Sequence, residues 1–293
     1  MKASGSIFLA VNEESATSPK PLDQKERHLR EILREMASVV IGFSGGADSA
    51  LLAKVAHEEL GERALAVIAV SESYPKREMA DALALAQQIG VPVLIVEARE
   101  LQDENYASNP TNRCYYCKTE LFTHLSQVAR ERGARWIAYG ANHDDLGDHR
   151  PGHVAAAEFG VRAPLIEAGL TKPEIRHISR ALGLPTWNKP AMACLSSRFP
   201  YGTRITAELL ARLDAAEDYL RHDLGFRQIR VRHHDAIARI EADPAEIERL
   251  LDPGLRGKIS AKLKSLGYTY VAVELEGYRS GSLNAGITID GAK

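Results

Sequence analysis

The sequence is poor in the features that mark several large protein classes. Its 293 residues include only three cysteines, an odd count that argues against a disulfide scaffold and favours thiol chemistry or metal binding. No stretch approaches the roughly 20 apolar residues that a membrane-spanning helix requires. The formal net charge is only −2, so overall charge gives no reason to expect nucleic-acid binding. Internal repeats and low-complexity segments are also missing.

The beginning of the chain lacks the long hydrophobic stretch of a signal peptide, since its one apolar run covers only residues 7–11. We therefore expect residues 1–20 to form a flexible leader, and a cytoplasmic protein without a membrane partner. Hydrophobic content of 45% and charged content of 26% are ordinary for a globular protein. At roughly 150 residues per domain, the length predicts two domains.

The most informative stretch is VVIGFSGGADS at 39–49, in which an apolar strand pattern runs through a glycine turn into a helical pattern. Adjacent glycines admit positive φ and leave room for a ligand, and the free N–H groups of a helix start attract anions. Neither the Walker spacing nor GxGxxG is present. The turn is therefore a candidate phosphate site, with a plain glycine-rich βα turn as the alternative. Its candidate residues are Ser44, Gly45, Gly46, Asp48 and Ser49, and Asp48 is also suited to Mg²⁺.

Continuous apolar runs alternate with helical patterns through the first part of the chain. Parallel strands that are buried on both faces have this character, so the pattern predicts a doubly wound parallel α/β sheet with ligands at the carboxyl ends of its strands. The predicted strands are 39–43, 64–70, 91–96 and 136–139, and the predicted helices include 23–36, 116–132 and 171–182.

Polar residues follow several of these strands. Ser71 comes directly after the second strand, and Asn142, Asp144 and Asp145 follow the fourth. Because carboxyl ends of parallel strands meet at one edge of a sheet, we expect these side chains to reach ribose, base or Mg²⁺. A solvated acidic loop is the alternative for the last three.

The pattern changes near residue 205. A helical stretch at 206–224 precedes alternating runs at 226–232 and 236–242, then helical residues at 244–266 and a strand at 269–275. We therefore predict a first domain at 21–204 and a smaller C-terminal α+β domain at 205–293, which we expect to bind substrate or support oligomerisation.

Arginines mark the first strand of this second unit. Arg230 and Arg232 are two residues apart and so share a face of a strand, and Arg279 is a plausible third member. Arginine binds phosphate and carboxylate groups bidentately. A solvated charged face is the alternative, and Glu217 and Glu241 are weaker candidates on the same side.

The cysteines form a CxxC pair, Cys114 and Cys117, at a predicted helix start, and a remote third residue, Cys194. A CxxC pair is compatible with a redox couple, half of a metal site, or chance. If the fold brings Cys194 to the pair, three thiolates could bind a cuboidal iron–sulfur cluster and leave one iron open. Otherwise the pair is redox-active and Cys194 is structural.

Several strings together resemble one family. SGGADS (44–49) resembles the PP-loop of the ATP pyrophosphatases, which cleave ATP between the α and β phosphates. With RCYYCK (113–118), GANHDDLGDHRPG (140–152), ACLSSR (193–198), IRVR (229–232) and EGYRSGSLN (276–284), it resembles the LarE sulfur transferases over nearly the whole chain after the leader. The resemblance implies a PP-loop domain of HUP type.

The resemblance also implies a reaction. LarE enzymes use ATP to adenylate the carboxylates of pyridinium-3,5-biscarboxylic acid mononucleotide, and sulfur then replaces AMP on the way to the nickel-pincer nucleotide cofactor. ATP, Mg²⁺ and a [4Fe-4S] cluster on Cys114, Cys117 and Cys194 are the implied cofactors, with a sulfide source and a homo-oligomer as implied partners. In another subgroup of the family, the cysteine that corresponds to Cys194 is itself the sulfur donor and is consumed in the reaction.

Residue roles follow from the same resemblance. Asp48 and Cys194 would be catalytic, while Ser71 and Asn142 would join the turn at 44–49 in binding ATP and pyrophosphate. The groups that would hold the phosphate and carboxylates of the mononucleotide are Arg198, Arg230, Arg232 and Arg279.

Other functions remain open at the level of sequence. A PP-loop tRNA thiolase is one, although the net charge and the lack of a basic, aromatic-rich surface speak against it. An amidotransferring synthetase of the GMP or NAD type would leave the cysteines without a task. A nucleotide-sensing module without turnover is a third. The histidines at 124, 143, 149 and 153 lack ligand spacing, so we expect them to be surface or core residues.

Overall fold

The computed structural model describes residues 21–147, 151–190, 193–279 and 281–284, so the predicted leader lies outside the described residues. The helices are α1 Leu22–Met36, α2 Ala47–Leu60, α3 Lys76–Ile89, α4 Glu104–Ala107, α5 Arg113–Arg132, α6 Pro151–Glu158, α7 Pro164–Glu167, α8 Lys172–Ala181, α9 Ala207–Asp218, α10 Ile247–Leu251 and α11 Pro253–Ser265. The strands are β1 Val39–Gly42, β2 Ala64–Val70, β3 Val93–Glu97, β4 Trp136–Tyr139, β5 Ile229–His234, β6 Ile237–Ala242 and β7 Tyr270–Val273.

The first sheet has four parallel strands in the order β3-β2-β1-β4, which confirms the predicted α/β class. The chain moves outward from β1 to β3 and then returns to pair β4 with the other side of β1. Its direction of winding therefore reverses between β1 and β4. Ligands of doubly wound sheets bind in the crevice at such a reversal, and here it lies beside the glycine turn.

Helices cover both faces of this sheet. One apolar layer contains buried residues of α1, α2, α3 and α8, while another is formed mainly by α5 and α6. The first layer begins with the stripe Leu29, Ile32, Leu33 and Met36 of α1. Their i, i+3, i+4 spacing puts one continuous apolar face of the helix against the sheet.

The glycine turn is held by close backbone packing on both sides. A Cβ on Gly140, just after β4, would lie 2.8 Å from the Ser49 nitrogen, and one on Gly45 would lie 2.7 Å from Ala82 Cβ. Gly45 also has φ +66°, a conformation that glycine adopts without steric cost. A side chain at either position would push the glycine turn away from its neighbours.

The C-terminal unit is a mixed sheet in the order β5-β6-β7, with β5 and β6 antiparallel and β6 and β7 parallel. Helices α9 and α11 pack on one face around Leu210, Leu213 and Leu263. Leu195 and Phe199, which precede α9 in the chain, join this core. The boundary after residue 204 stays a prediction.

Three of the differences between predicted and observed bounds have a clear local cause. β3 begins at Val93 rather than 91, because Pro92 has no N–H to donate to the ladder. The helical stretch 244–266 is divided before α11, where the Asp252 side chain accepts hydrogen bonds from Gly254 and Leu255 N–H at 2.9 and 3.0 Å and caps a new helix. The helix expected at 206–224 ends as α9 at Asp218 and continues as a π-helical turn, Tyr219–Asp223.

Candidate active site

The glycine turn carries an internal hydroxyl network. Ser49 Oγ lies 3.2 Å from both the backbone nitrogen and the Oγ of Ser44, and 3.3 Å from the Gly46 carbonyl oxygen. Gly46 is the N-cap of α2, and no side chain caps that helix end. The first N–H groups of α2 therefore remain available to an anion, which the positive end of the helix dipole also favours.

Two lysines that the sequence analysis missed flank the turn. Lys172 Nζ lies 2.5 Å from Asp48 Oδ2, while Lys189 Nζ lies 2.6 Å from Glu78 Oε2 and 3.4 Å from the Gly45 carbonyl oxygen. Lys172 is the first residue of α8. Its position is fixed because Thr171 and Glu174 form a capping box there.

The loop after β4 is more ordered than a solvated acidic loop. Asp145 Oδ2 accepts a 2.9 Å hydrogen bond from the Asn142 N–H, and Asn142 Oδ1 accepts one of 3.0 Å from the Asp144 N–H. The Asn142 amide also approaches Asp48 Oδ1 at 3.4 Å. Asp144 accepts from the backbone N–H of Lys172 at 2.8 Å. Asn142 and Asp144 thus brace the Asp48–Lys172 pair from the neighbouring strand end.

Ser71 connects this crevice to the thiols. Its hydroxyl lies 3.0 Å from Ser73 Oγ, and its effect on the buried Glu100 is to lower the pKa of that carboxyl. Glu100 Oε1 in turn accepts a 3.5 Å hydrogen bond from Cys117 Sγ. Burial raises the pKa of the Glu100 carboxyl, and the charge of Glu120 adds to the effect.

The CxxC pair lies at the start of a helix, as the sequence predicted. Helix α5 begins at Arg113, so Cys114 and Cys117 occupy its first two turns and share a face. Cys194 is electrostatically coupled to both thiols. The Cys114 residue is exposed, but desolvation of the sulfur raises the pKa of its thiol. Burial likewise raises the pKa of the Cys117 thiol. Arg113, at the start of α5, also donates to the carbonyl oxygen of Ser196 at 2.9 Å. The fold therefore brings the CxxC pair and the segment of Cys194 into one region.

Three thiols are chemically suited to bind an iron–sulfur cluster, and the cluster stays a prediction. The described residues contain no group of three histidine, cysteine, aspartate or glutamate side chains that could hold a single metal ion. A cuboidal cluster places its thiolate ligands on different irons and so spreads them further apart than one ion does. The chemistry of three neighbouring thiols is compatible with that arrangement, with one iron left without a protein ligand.

The arginines of β5 share a face, as the alternation predicted, but that face is buried. Arg230 and Arg232 are 8% and 3% exposed, and Arg232 pairs with Glu241 Oε2 at 2.8 Å. Arg230 stacks on Tyr278 at 4.5 Å. Burial, together with the charges of Arg198 and Arg232, lowers the pKa of Arg230 to about 10. An anion placed here would relieve this repulsion.

Arg198 anchors the segment that carries Cys194. It makes a bidentate ion pair with Glu217 at 2.8 Å, and both side chains are almost fully buried. Its remaining guanidinium nitrogen donates to the carbonyl oxygens of Ala193 and Cys194 at 2.8 and 3.2 Å. Arg198 thus holds the main chain around Cys194, a role additional to the predicted substrate contact.

A cavity of about 320 Å³ opens beside these arginines. Its lining includes Arg198, Arg232, His234 and Arg239. Among the described residues, Arg232 Nε, Arg239 Nε and His234 Nε2 are buried without hydrogen-bond partners. Buried polar atoms normally have partners, so these three mark a place where a ligand would complete the bonding.

Arg279 differs from the other predicted arginines. It forms an ion pair with Glu276, and its side chain is 56% exposed, whereas Arg198, Arg230 and Arg232 are buried. Its contact with substrate stays a prediction.

Comparison with known proteins agrees with this arrangement. The NAD synthase family profile matches residues 22–146, which include the glycine turn and the sheet. An uncharacterised protein of Synechocystis sp. is 46% identical over 267 residues, covering 91% of this chain and 99% of the relative. The pyridinium-3,5-bisthiocarboxylic acid mononucleotide synthase of Lactiplantibacillus plantarum is 38% identical over 268 residues, covering 91% of this chain and 96% of the relative.

The chain belongs to the LarE family. It is therefore an ATP-using enzyme of the synthase and sulfurtransferase class. The glutamine-hydrolysing GMP synthase of Chlamydia caviae is a more distant relative, 24% identical over 201 residues and covering 62% of this chain but 38% of that protein. Within the described ranges of this LarE family member, every helix is too short or too polar to span a membrane.

The buried ion pair of Arg198 and Glu217 should dominate the stability of the C-terminal unit. Burial alone would raise the pKa of Glu217, but Arg198, Arg221 and the Val231 N–H outweigh it and lower the pKa. Removing one partner of such a pair costs about 3–5 kcal/mol. We expect Glu217→Gln to lower the free energy of unfolding by that amount at pH 7, measured by chemical denaturation.

The stabilising contribution of Glu217 should depend on pH. A carboxyl with a lowered pKa in the folded state contributes stability above its unfolded pKa of about 4.3, and that contribution is lost as pH falls through the folded value. The difference in free energy of unfolding between wild type and Glu217→Gln should therefore become smaller as the pH is lowered. Glu104→Gln, which breaks the exposed pair with Arg204, is the control and should change little. Equal stability of wild type and Glu217→Gln at pH 7 would contradict the assignment.

Proposed function

We propose that this enzyme adenylates the carboxylates of pyridinium-3,5-biscarboxylic acid mononucleotide with ATP and replaces AMP with sulfur, for synthesis of the nickel-pincer nucleotide. One observation supports it most directly. The segment 193–198 is bonded to both binding regions, because the Leu195 N–H donates to the Ser73 carbonyl oxygen at 2.9 Å and Arg232 donates to the Ser197 carbonyl oxygen at 2.7 Å. Cys194 thus belongs to a segment that is tied both to the carboxyl end of β2 and to Arg232 of β5, which supports a role for it between the two proposed sites.

The first step is adenylation. A carboxylate oxygen attacks the α-phosphorus of ATP, and pyrophosphate leaves with the electron pair of the broken P–O bond. The turn at 44–49 and the N-terminus of α2 would hold the departing pyrophosphate, with Ser71 and Asn142 at the adjoining strand ends. Such preorganised donors stabilise charge that develops in the transition state.

The Asp48–Lys172 pair suggests how Mg²⁺ enters. In the structure, Lys172 neutralises the carboxylate that Mg²⁺ would bind. Mg²⁺ coordinated to Asp48 would release Lys172 toward the phosphates, so the site would keep its charge balance as both ligands bind. Lys189 contacts Glu78 and the Gly45 carbonyl oxygen. From this position beside the glycine turn it could also bind the phosphates.

In the second step, a sulfur nucleophile attacks the acyl carbon and AMP leaves with one carboxylate oxygen. Cys114, Cys117 and Cys194 would hold a [4Fe-4S] cluster, which when bound supplies sulfide on its remaining iron. The proximity of the three thiols favours this route over consumption of Cys194 itself. Replenishment would need an external sulfide source.

The cavity beside β5 is suited to the mononucleotide. The cavity is lined by three guanidinium groups, those of Arg198, Arg232 and Arg239. Among the described residues, the Nε atoms of Arg232 and Arg239 are buried without hydrogen-bond partners. Arg198, Arg230 and Arg232 would bind the phosphate or the second carboxylate bidentately. Arg279 could join only by leaving Glu276. We also propose that the C-terminal unit supports formation of a homo-oligomer.

Asp48→Asn should abolish the first step with little effect on folding. Losing an electrostatic group at a reacting phosphate lowers the rate by about 10²–10³-fold, so AMP formation should fall at least that far. Asp81→Asn is the control, because Asp81 is an exposed acid on the neighbouring α3. The assay is AMP release by chromatography. An Asp48→Asn enzyme that still forms AMP would remove the phosphate assignment.

Arg230→Gln should affect one substrate only. Hydrogen bonds to charged groups are worth about 1.5–3 kcal/mol, so the KM for the mononucleotide should rise about 10- to 100-fold while the KM for ATP stays unchanged. The variant should fold, since it removes the repulsion from Arg198 and Arg232. Arg227→Gln, at an exposed position, is the control. Equal effects on both substrates would exclude the assigned role.

A further inference from the structure

Arg113 is a buried cation with an unusual set of partners. It is 2% exposed, and its guanidinium donates to the Ser196 carbonyl oxygen at 2.9 Å and to Asn109 Oδ1. Burial raises the pKa of the adjacent Cys114 thiol, and the positive charge of Arg113 opposes that increase. Arg113 is therefore the neighbour of one cysteine of the CxxC pair and contacts the segment that carries Cys194.

The charge of Arg113 is not balanced by a carboxylate among the described residues. Two other buried arginines form ion pairs with glutamates, Arg198 with Glu217 and Arg232 with Glu241. The described hydrogen-bond partners of Arg113 are instead an amide oxygen and a carbonyl oxygen. Burying a charge without a counter-charge is costly. A negatively charged sulfur at Cys114 or Cys194 would remove that cost.

The pKa of Arg113 is also influenced by the neighbouring thiols. Burial would lower the pKa of Arg113, but it is raised, and the largest contributions to the increase come from Cys194 and Cys114, followed by Tyr106 and Tyr201. The groups that stabilise the guanidinium are thus two of the three thiols and two phenols. Only the thiols carry the chemistry of the site.

A rigid network fixes the guanidinium in place. Asn109 adopts φ +56°, a left-handed conformation that asparagine tolerates better than most residues. Its Nδ2 donates to the Pro200 carbonyl oxygen at 2.7 Å, and its own carbonyl oxygen accepts from the Gly202 N–H at 2.8 Å. Tyr106 Oη lies 2.6 Å from Ser196 Oγ. The start of α5 and the segment after Cys194 are thereby locked together.

We propose that Arg113 is the counter-ion for anionic sulfur at Cys114 and Cys194 and the positioning residue that sets the CxxC helix against the Cys194 segment. The inference rests on the proposed function for what the sulfur does. The charge pairing itself applies equally to free thiolates and to thiolates bound to iron.

Charge-selective alkylation tests the pairing without iron. The full-length protein, freed of metal by a chelator, is modified with iodoacetate or with neutral iodoacetamide, and the labelled cysteines are identified by mass spectrometry. Both reagents attack the thiolate, so the ratio of their rates cancels the ionised fraction and reports local charge. A guanidinium next to sulfur should attract the anionic reagent, and Arg113→Gln should lower the ratio at Cys114 about tenfold.

Two further variants separate charge from packing. Arg113→Lys keeps the charge and should keep most of the ratio, and it covers the case in which Arg113→Gln does not fold. Tyr106→Phe breaks a hydrogen bond of the same network without changing charge and should leave the ratio unchanged. An unchanged ratio in Arg113→Gln, or an equal fall in Tyr106→Phe, would overturn the proposal.

Iron binding distinguishes this proposal from the proposed function. In anaerobically loaded protein, Arg113→Gln should shift the midpoint potential of the cluster to a more negative value, because a lost cation disfavours the added electron. Tyr106→Phe should not. Failure of wild type to bind iron would contradict the cluster but leave the alkylation result valid. An unchanged potential in Arg113→Gln would overturn the role of Arg113.

Discussion

The buried contact between Arg198 and Glu217 is the constraint on which the rest of the site depends. Glu217 belongs to α9, and Arg198 ends the short segment that presents Cys194. Through this pair, the C-terminal unit holds that segment while the Leu195–Ser73 hydrogen bond ties it to the end of β2. The thiol region, the carboxyl end of β2 and the arginine face are therefore linked by contacts of one six-residue segment.

Several charged side chains of the candidate site are paired with opposite charges. Asp48 is neutralised by Lys172 and Glu78 by Lys189, and three guanidinium groups line the cavity beside β5. The two carboxylates are balanced without ligands by lysine contacts that Mg²⁺ or a phosphate could replace. The guanidinium groups beside β5 would be balanced by a bound phosphate or carboxylate. Exchange of partners costs less than desolvating an isolated charge, so such a site can bind highly charged substrates without large rearrangement.

Much of the fold could be predicted because local patterns determine it. Apolar runs such as 64–70 predict buried parallel strands, and the alternation through Arg230 and Arg232 correctly predicted a shared face. Burial of that face was not predictable, since it depends on Glu217 from a separate helix and on Glu241 from β6. Lys172 and Arg113 were missed for the same reason: their partners Asp48 and Ser196 are distant in sequence.

The most direct test of the account follows one oxygen atom. The mononucleotide is supplied with both carboxylates labelled with ¹⁸O, and the AMP released during sulfur transfer is analysed by mass spectrometry. Adenylation of a carboxylate predicts that each AMP formed with product carries one ¹⁸O, because the acyl carbon–oxygen bond breaks when sulfur enters. Unlabelled AMP formed together with thiocarboxylate would contradict the adenylation route.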